Sequence, residues 1–246
     1  MKRIIWTRPS EDWGLDQKII KSESGLLRFP VTQQIQIVPK VPVKICDFIV
    51  LTSRKAAEAF LQHNLLPREQ LGRKDFLTFG IETYKYLVSQ NLKVRLIPVH
   101  NGKDFAEILV MEIKKGSVIW IPRPAEPAFA IGDLLRNYSF ETYDIEMYRT
   151  ESVRNFEVQL LKQLVAEPSI VCFASPSAVK AFVDVVQTSD AARFYRYTAV
   201  AIGTTTLASG QSYFSQSFQA LHPTLQSLWD MAQGLAKQEE AQVKTV

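Results

Sequence analysis

The chain alternates short apolar runs, typical of buried strands, with segments whose apolar residues recur at helical spacing. Strands are predicted at residues 4–6, 34–38, 47–51, 76–79, 94–98, 118–121, 145–148, 169–174 and 198–202. Helices are predicted after residues 52–53, over 82–89, after 175–176, from 204 and after 223–224. Strands and helices that alternate in this way form parallel sheets covered by helices, so the pattern predicts an α/β fold.

One helix start is marked clearly. Ser175 precedes Pro176, and a serine N-cap followed by proline at the first helical position favours a helix, because the proline ring already has a helical φ. Ala178, Val179 and Phe182 then fall on one apolar face.

The two halves of the chain resemble each other. Short motifs that end in Arg-Pro, in Ser or in Gly occur twice, 115 to 123 residues apart. The matching positions are Arg8 and Arg123, Ser53 and Ser175, and Gly80 and Gly203. A nearly constant offset predicts two similar α/β units.

The composition is that of an ordinary soluble protein, with 46% hydrophobic residues in 246 and a net charge of +4. No dense Lys/Arg stripe occurs, so we expect no nucleic-acid partner. Cys46 and Cys172 lie in apolar runs without a CxxC motif, which favours buried thiols in a reducing compartment. With no signal-peptide pattern and no long apolar run, we expect a cytoplasmic protein without a membrane partner.

Motifs for common cofactors are missing. The sequence has no GxGxxG, Walker, HExxH or GxSxG pattern, so we expect no nucleotide or flavin. His63, His100 and His222 have no partners at metal-ligand spacing, which predicts surface or structural histidines and no metal site.

Small hydroxyl-bearing or glycine residues follow several predicted strands and open helices. They are Thr7, Thr52 with Ser53, Ser175 with Ser177, and Gly203 with Thr204, Thr205 and Thr206. Ligands of parallel α/β units bind at the carboxyl ends of strands, where free backbone N–H groups attract anions. Each residue alone is more often an ordinary helix cap, but the repeated placement favours a site for a polyanion.

Several ordered motifs resemble the uroporphyrinogen-III synthase family. They are Trp6-Thr7-Arg8-Pro9, residues 47–53, Gly80 with Thr83, Tyr148-Arg149-Thr150, residues 175–179, residues 203–206 and Pro223-Thr224. The similarity extends over essentially the whole chain. It implies two similar flavodoxin-like lobes with parallel sheets, joined by a two-stranded linker. The first would combine residues 1–38 with 150–246, and the second would be residues 39–149.

The resemblance also implies a function. The family cyclises hydroxymethylbilane, a linear tetrapyrrole, inverting its last pyrrole ring to give uroporphyrinogen III in heme biosynthesis. It would be a monomeric, cofactor-independent hydro-lyase, with Tyr148 as the proton donor that assists loss of hydroxide. The expected substrate-binding residues are Arg8, Thr52, Ser53, Gly80, Thr83, Arg123, Ser175, Ser177, Gly203, Thr205 and Thr206.

Two alternatives stay open. The chain departs from the family pattern at residues 124–126, Tyr84, Thr204 and Leu207, so a catalytically inactive two-lobe member that binds an anionic ligand is one. A fused pair of receiver-like domains is the other. That arrangement needs an acidic cluster at strand ends, and none follows Ile5, Val50 or Phe173.

Overall fold

The computed structural model describes residues 2–21, 24–99 and 101–243. The strands within them are β1 (Arg3–Trp6), β2 (Leu26–Arg28), β3 (Thr32–Gln36), β4 (Phe48–Val50), β5 (Asp75–Thr78), β6 (Val94–Leu96), β7 (Val118–Pro124), β8 (Glu141–Ser152), β9 (Ser169–Phe173), β10 (Tyr197–Ala201) and β11 (Gln216–Gln219). The helices are α1 (Trp13–Asp16), α2 (Arg54–Gln62), α3 (Arg68–Leu71), α4 (Ile81–Ser89), α5 (Gly102–Glu112), α6 (Ile131–Asn137), α7 (Val158–Ala166), α8 (Pro176–Asp190), α9 (Thr204–Gly210) and α10 (Leu225–Val243).

The chain folds into two compact units. The first contains the described residues up to Gln34 and those from Glu151 onward, and the second is Ile35–Thr150. The chain passes between units within β3 and again within β8, which are neighbouring strands. The sequence predicted that the units are divided between residues 38 and 39 and between residues 149 and 150.

The first unit contains a five-stranded parallel sheet in the order β11-β10-β9-β1-β2. Numbered along this unit, the strands follow the order 2-1-3-4-5 of flavodoxin-like folds. All residues of β9 and β10 are buried because helices cover both faces. Phe182 of α8 packs on one face, and Leu228 of α10 packs on the other.

The second unit contains parallel strands in the order β8-β7-β4-β5-β6, with β3 at the β8 edge. Its core also has two layers. Phe60 of α2 and Leu87 of α4 belong to one cluster, and Phe105 of α5 and Leu135 of α6 belong to the other. The prediction of an α/β fold built on parallel sheets is confirmed in both units.

The two sheets are circular permutations of each other. The order β11-β10-β9-β1-β2 in the first unit corresponds to β6-β5-β4-β7-β8 in the second. The motif repeat in the sequence agrees with this correspondence, since it matches β1 with β7, β9 with β4 and β10 with β5. The repeat in the sequence therefore does not mark the boundary between the units.

The predicted end of β7 is wrong. The strand expected to stop before Pro122 continues through Pro124, as β7. The N–H of Val118 points toward β4, where it donates to Asp47. Alternate residues of a strand face the same neighbouring strand, so the backbone nitrogen of Pro122 also points to the β4 side. Trp120 is the last residue of β7 that pairs with β4. The missing N–H of Pro122 therefore removes no ladder hydrogen bond, and the proline is tolerated.

Candidate functional site

In the first unit, three predicted site residues follow adjacent strands. Strand β9 lies between β1 and β10, and all three are parallel, so their carboxyl ends share one edge of the sheet. Arg8 follows β1, Ser175 follows β9 and Gly203 follows β10. This edge is where parallel α/β sheets bind ligands.

Ser175 and Ser177 lie together at the start of α8. The Ser175 hydroxyl accepts a hydrogen bond of 3.2 Å from the N–H of Ala178, which makes Ser175 the N-cap predicted from the sequence. The Ser177 hydroxyl lies 2.9 Å from that of Ser175. Ser177 is exposed and Ser175 is half-buried, so this hydroxyl pair is accessible from solvent.

Helix α9 begins differently, without a side-chain cap. Its N-cap is Gly203, whose backbone is extended, and a side chain placed there would meet nothing within 4 Å. Thr205 is exposed, whereas Thr206 is only 4% exposed. Of the two threonines predicted to contact substrate, Thr205 is therefore the one with an accessible side chain.

The Arg8 side chain contacts two carboxylates of its own unit. Its terminal nitrogen lies 2.8 Å from Asp12 Oδ2, and its Nε donates to Asp16 Oδ2 at 3.1 Å. The Trp6 indole N–H donates to the same Asp16 oxygen at 2.8 Å. We call Trp6, Arg8, Asp12 and Asp16 the Arg8 cluster. Sequence analysis missed its two acids.

Burial raises the pKa of the Asp16 carboxyl above its ordinary value, and the hydrogen bond from Trp6 and the charge of Arg8 only partly offset that effect. Two carboxylates share one guanidinium here. The positive charge of Arg8 is therefore neutralised within its own unit.

In the second unit, a cavity of about 250 Å³ brings other predicted residues together. Thr52 and Ser53, which follow β4, line it together with Tyr148 of β8. Tyr148 is 7% exposed and also packs into the core cluster on that face of the sheet. Ser53 caps α2, because its hydroxyl accepts from the N–H of Ala56 at 3.1 Å.

Gly80 and Thr83 lie near this cavity without belonging to its lining. Gly80 is the N-cap of α4, and Thr83 is 3% exposed within the first turn. A Cβ placed on Gly80 would lie 3.2 Å from the Thr83 hydroxyl oxygen, which explains the glycine by close packing.

Arg123 binds groups of its own unit. Its Nε donates to Asp144 Oδ1 at 2.8 Å, and one terminal nitrogen donates to the carbonyl oxygens of Pro124 and Ala125. Arg136 donates to the other oxygen of Asp144 at 2.9 Å. Arg123 thus fixes the end of β7 against β8, a contact between residues that are distant in sequence.

Metal-ligating residues are not clustered within residues 2–21, 24–99 and 101–243, where no group of three His, Cys, Asp or Glu could hold an ion. His63 is the C-cap that follows α2 and His222 precedes α10, while His100 lies outside the described residues. In the same part of the chain, no helix is both long and apolar enough to span a membrane.

Comparison with known proteins gave a family match and structural neighbours. The model of the family described as uroporphyrinogen-III synthase HemD matches residues 29–230. The uroporphyrinogen-III synthetase of Helicobacter pylori has 18% identity and a TM-score of 0.67, over 96% of this chain and 100% of that one. A mutant uroporphyrinogen III synthase of the extremely thermophilic bacterium Thermus thermophilus has 15% identity and a TM-score of 0.64, over 98% and 100%. A search of curated protein sequences gave no match.

Proposed function

We propose a function for this chain from one premise: the chain belongs to the uroporphyrinogen-III synthase family. It converts the linear tetrapyrrole hydroxymethylbilane into uroporphyrinogen III, inverting the last pyrrole ring as the macrocycle closes, in heme biosynthesis. The observation that carries this proposal is the family match over residues 29–230, to which the fold of both units adds support.

The chemistry requires positioning more than a strong nucleophile. The pyrrole rings are electron-rich and promote loss of the terminal hydroxide themselves, while the protein holds the two reacting ends in the geometry that gives the inverted ring. A proton donor assists departure of hydroxide. We assign that role to Tyr148, which lines the cavity of the second unit.

The accessible hydroxyls are the best candidates for binding the substrate's carboxylates. In the first unit these are Ser175, Ser177 and Thr205, beside Gly203. In the second unit Thr52 and Ser53 line the cavity. Thr206, Gly80 and Thr83 shape these regions by packing.

In this proposal Arg8 and Arg123 do not contact the substrate directly. Each guanidinium already contacts carboxylates of the chain itself, Asp12 and Asp16 for Arg8, and Asp144 for Arg123. These arginines therefore hold the loops after β1 and β7 in place.

We further propose that the protein is a cofactor-independent, cyclising hydro-lyase that works as a monomer in the cytoplasm and binds no nucleic acid. The two units would be its folding domains. Cys46 and Cys172 are buried free thiols, which suits a reducing compartment. No observation favours the catalytically inactive alternative.

The decisive experiment incubates the purified protein with freshly prepared hydroxymethylbilane and separates the product isomers by chromatography. We expect uroporphyrinogen III, formed faster than the spontaneous uninverted isomer. A product mixture identical to that of the buffer control would refute the proposal.

A further inference from the structure

The cavity of the second unit has two kinds of wall. One is polar and consists of Thr52, Ser53 and Tyr148, each of which carries a hydroxyl. The other is apolar and includes the rings of Phe79 and Phe129. A site that combines aromatic side chains with a few hydroxyl-bearing residues suits a flat ring that carries polar substituents.

The apolar wall is held in place by packing. The Phe79 ring packs against Phe105 of the buried core, with centroids 5.1 Å apart. Phe129 lies against Gly102, the first residue of α5: a Cβ placed on Gly102 would be 3.2 Å from Phe129 Cβ and 3.3 Å from its Cδ1. Phe129 can approach this closely only because residue 102 has no side chain. It is also 36% exposed, so its ring is accessible to a ligand.

We propose that this cavity binds one pyrrole ring of the substrate and that Phe129, positioned by Gly102, sets the depth to which the ring enters. The inference rests on the proposed function. At about 250 Å³, the cavity lies below the range of roughly 300–1,000 Å³ for drug-sized ligands. It therefore accommodates a single substituted ring, whose face packs on Phe129 while its acid side chains reach the hydroxyl wall.

Phe129 acts here as a positioning residue. Contact between aromatic rings contributes a modest free energy beyond simple burial, so loss of the Phe129 ring should raise KM roughly two- to tenfold. The effect on kcat should be smaller, since the contact forms on binding and is maintained through the reaction.

The test uses two substitutions, one of the Phe129 ring itself and one of the glycine against which that ring packs. Phe129→Ala removes the ring. Gly102→Ala removes no group from the cavity. It adds a methyl group that displaces Phe129, and alanine is well tolerated in a helix. Gly234→Ala in α10 is the matched control, since a Cβ there meets nothing within 4 Å and the residue lies outside the cavity. We expect KM to rise in both cavity variants and to stay unchanged in the control.

A binding measurement without turnover separates this inference from the proposed function. The probe is a monopyrrole that carries one acetate and one propionate group, added to the full-length protein and followed by amide NMR shifts. We expect the amide signals of Gly102 and Phe129 to shift in the wild-type protein. In the Phe129→Ala variant the shift at Gly102 should be smaller. Glutarate, a dicarboxylate without a ring, should not reproduce them.

Each result has a definite consequence. The inference is overturned if the monopyrrole shifts no signal around Gly102, or if both cavity variants keep the wild-type KM. If the monopyrrole shifts these signals but the protein forms no uroporphyrinogen III, the proposed function fails while the ring site stands.

Discussion

Arg8 and Asp16 form a largely buried ion pair in which Arg8 Nε lies 3.0 Å from Asp16 Oδ1. The Asp16 side chain is 1% exposed and that of Arg8 is 15% exposed. Buried charges depend on their partners, because desolvation removes the stabilising interaction with water. The Arg8 cluster is therefore a place where one substitution should have a large effect on stability.

Arg8→Ala should lower the free energy of unfolding by about 3–5 kcal/mol, because it leaves the carboxylates of Asp12 and Asp16 without this cation. Urea unfolding measures the change. Arg54→Ala is the control: it also removes an arginine paired four residues away, with Glu58, but on the surface, and should cost no more than about 1 kcal/mol. Equal losses in the two variants would contradict the structural role of the Arg8 cluster.

The pH dependence of stability should reveal Asp16. Its folded-state pKa is raised above the ordinary value of 3.8, so over the acidic range above that value the folded state holds more protons at this site than the unfolded state. Stability from this group therefore decreases as pH rises through its folded pKa. We expect the difference in unfolding free energy, wild type minus Asp16→Asn, to decline with rising pH across that window. A difference that increases with pH would show that the pKa shift has the opposite sign.

Tyr148→Phe should lower turnover by roughly a hundred- to ten-thousandfold if the hydroxyl donates a proton to the departing hydroxide. The fold should persist, since the ring still fills its position in the core. Rates of uroporphyrinogen III formation and thermal melts measure the two effects. Tyr138→Phe, at a half-exposed tyrosine of the same unit, is the control and should keep full activity. Full activity in Tyr148→Phe would leave catalysis to geometry and carboxylate binding alone.

The two neighbouring threonines of α9 should separate binding from stability. Thr205 is exposed and Gly203 is the N-cap, so Thr205→Ala should raise KM without changing Tm. Thr206 is 4% exposed, and Thr206→Ala removes a buried methyl and hydroxyl at a cost of about 1 kcal/mol. Michaelis kinetics and thermal melts on both variants decide the point. A Thr205→Ala protein with lowered Tm and unchanged KM would assign it a packing role instead.

The sequence predicted the central strands better than the edge strands. Strands β9 and β10 are buried along their whole length and appear as continuous apolar runs. Strand β11 reads Gln-Ser-Phe-Gln at the edge of its sheet and is mostly exposed, so no apolar run marks it. Strand β2, at the opposite edge of the same sheet, was missed as well.

The site was predictable only where its contacts are local. Ser175 and Ser53 cap the helices that they directly precede, and sequence proximity predicts this. Arg8, Asp12 and Asp16 recur at spacings of four, a helix-like signal that could have been noticed. The pair of Arg123 with Asp144 depends on the register between β7 and β8, which no local pattern encodes.

The permuted order of the sheets has a consequence for synthesis on the ribosome. Strand β1 pairs with β2 on one side and with β9 on the other, but β9 begins at Ser169. At roughly 5–20 residues per second, about 7–28 s separate the emergence of β2 from that of β9. A two-stranded ribbon is only marginally stable alone. All the strands from β4 to β8 emerge during this interval, so the nascent chain completes its second unit while the first still lacks its central strand.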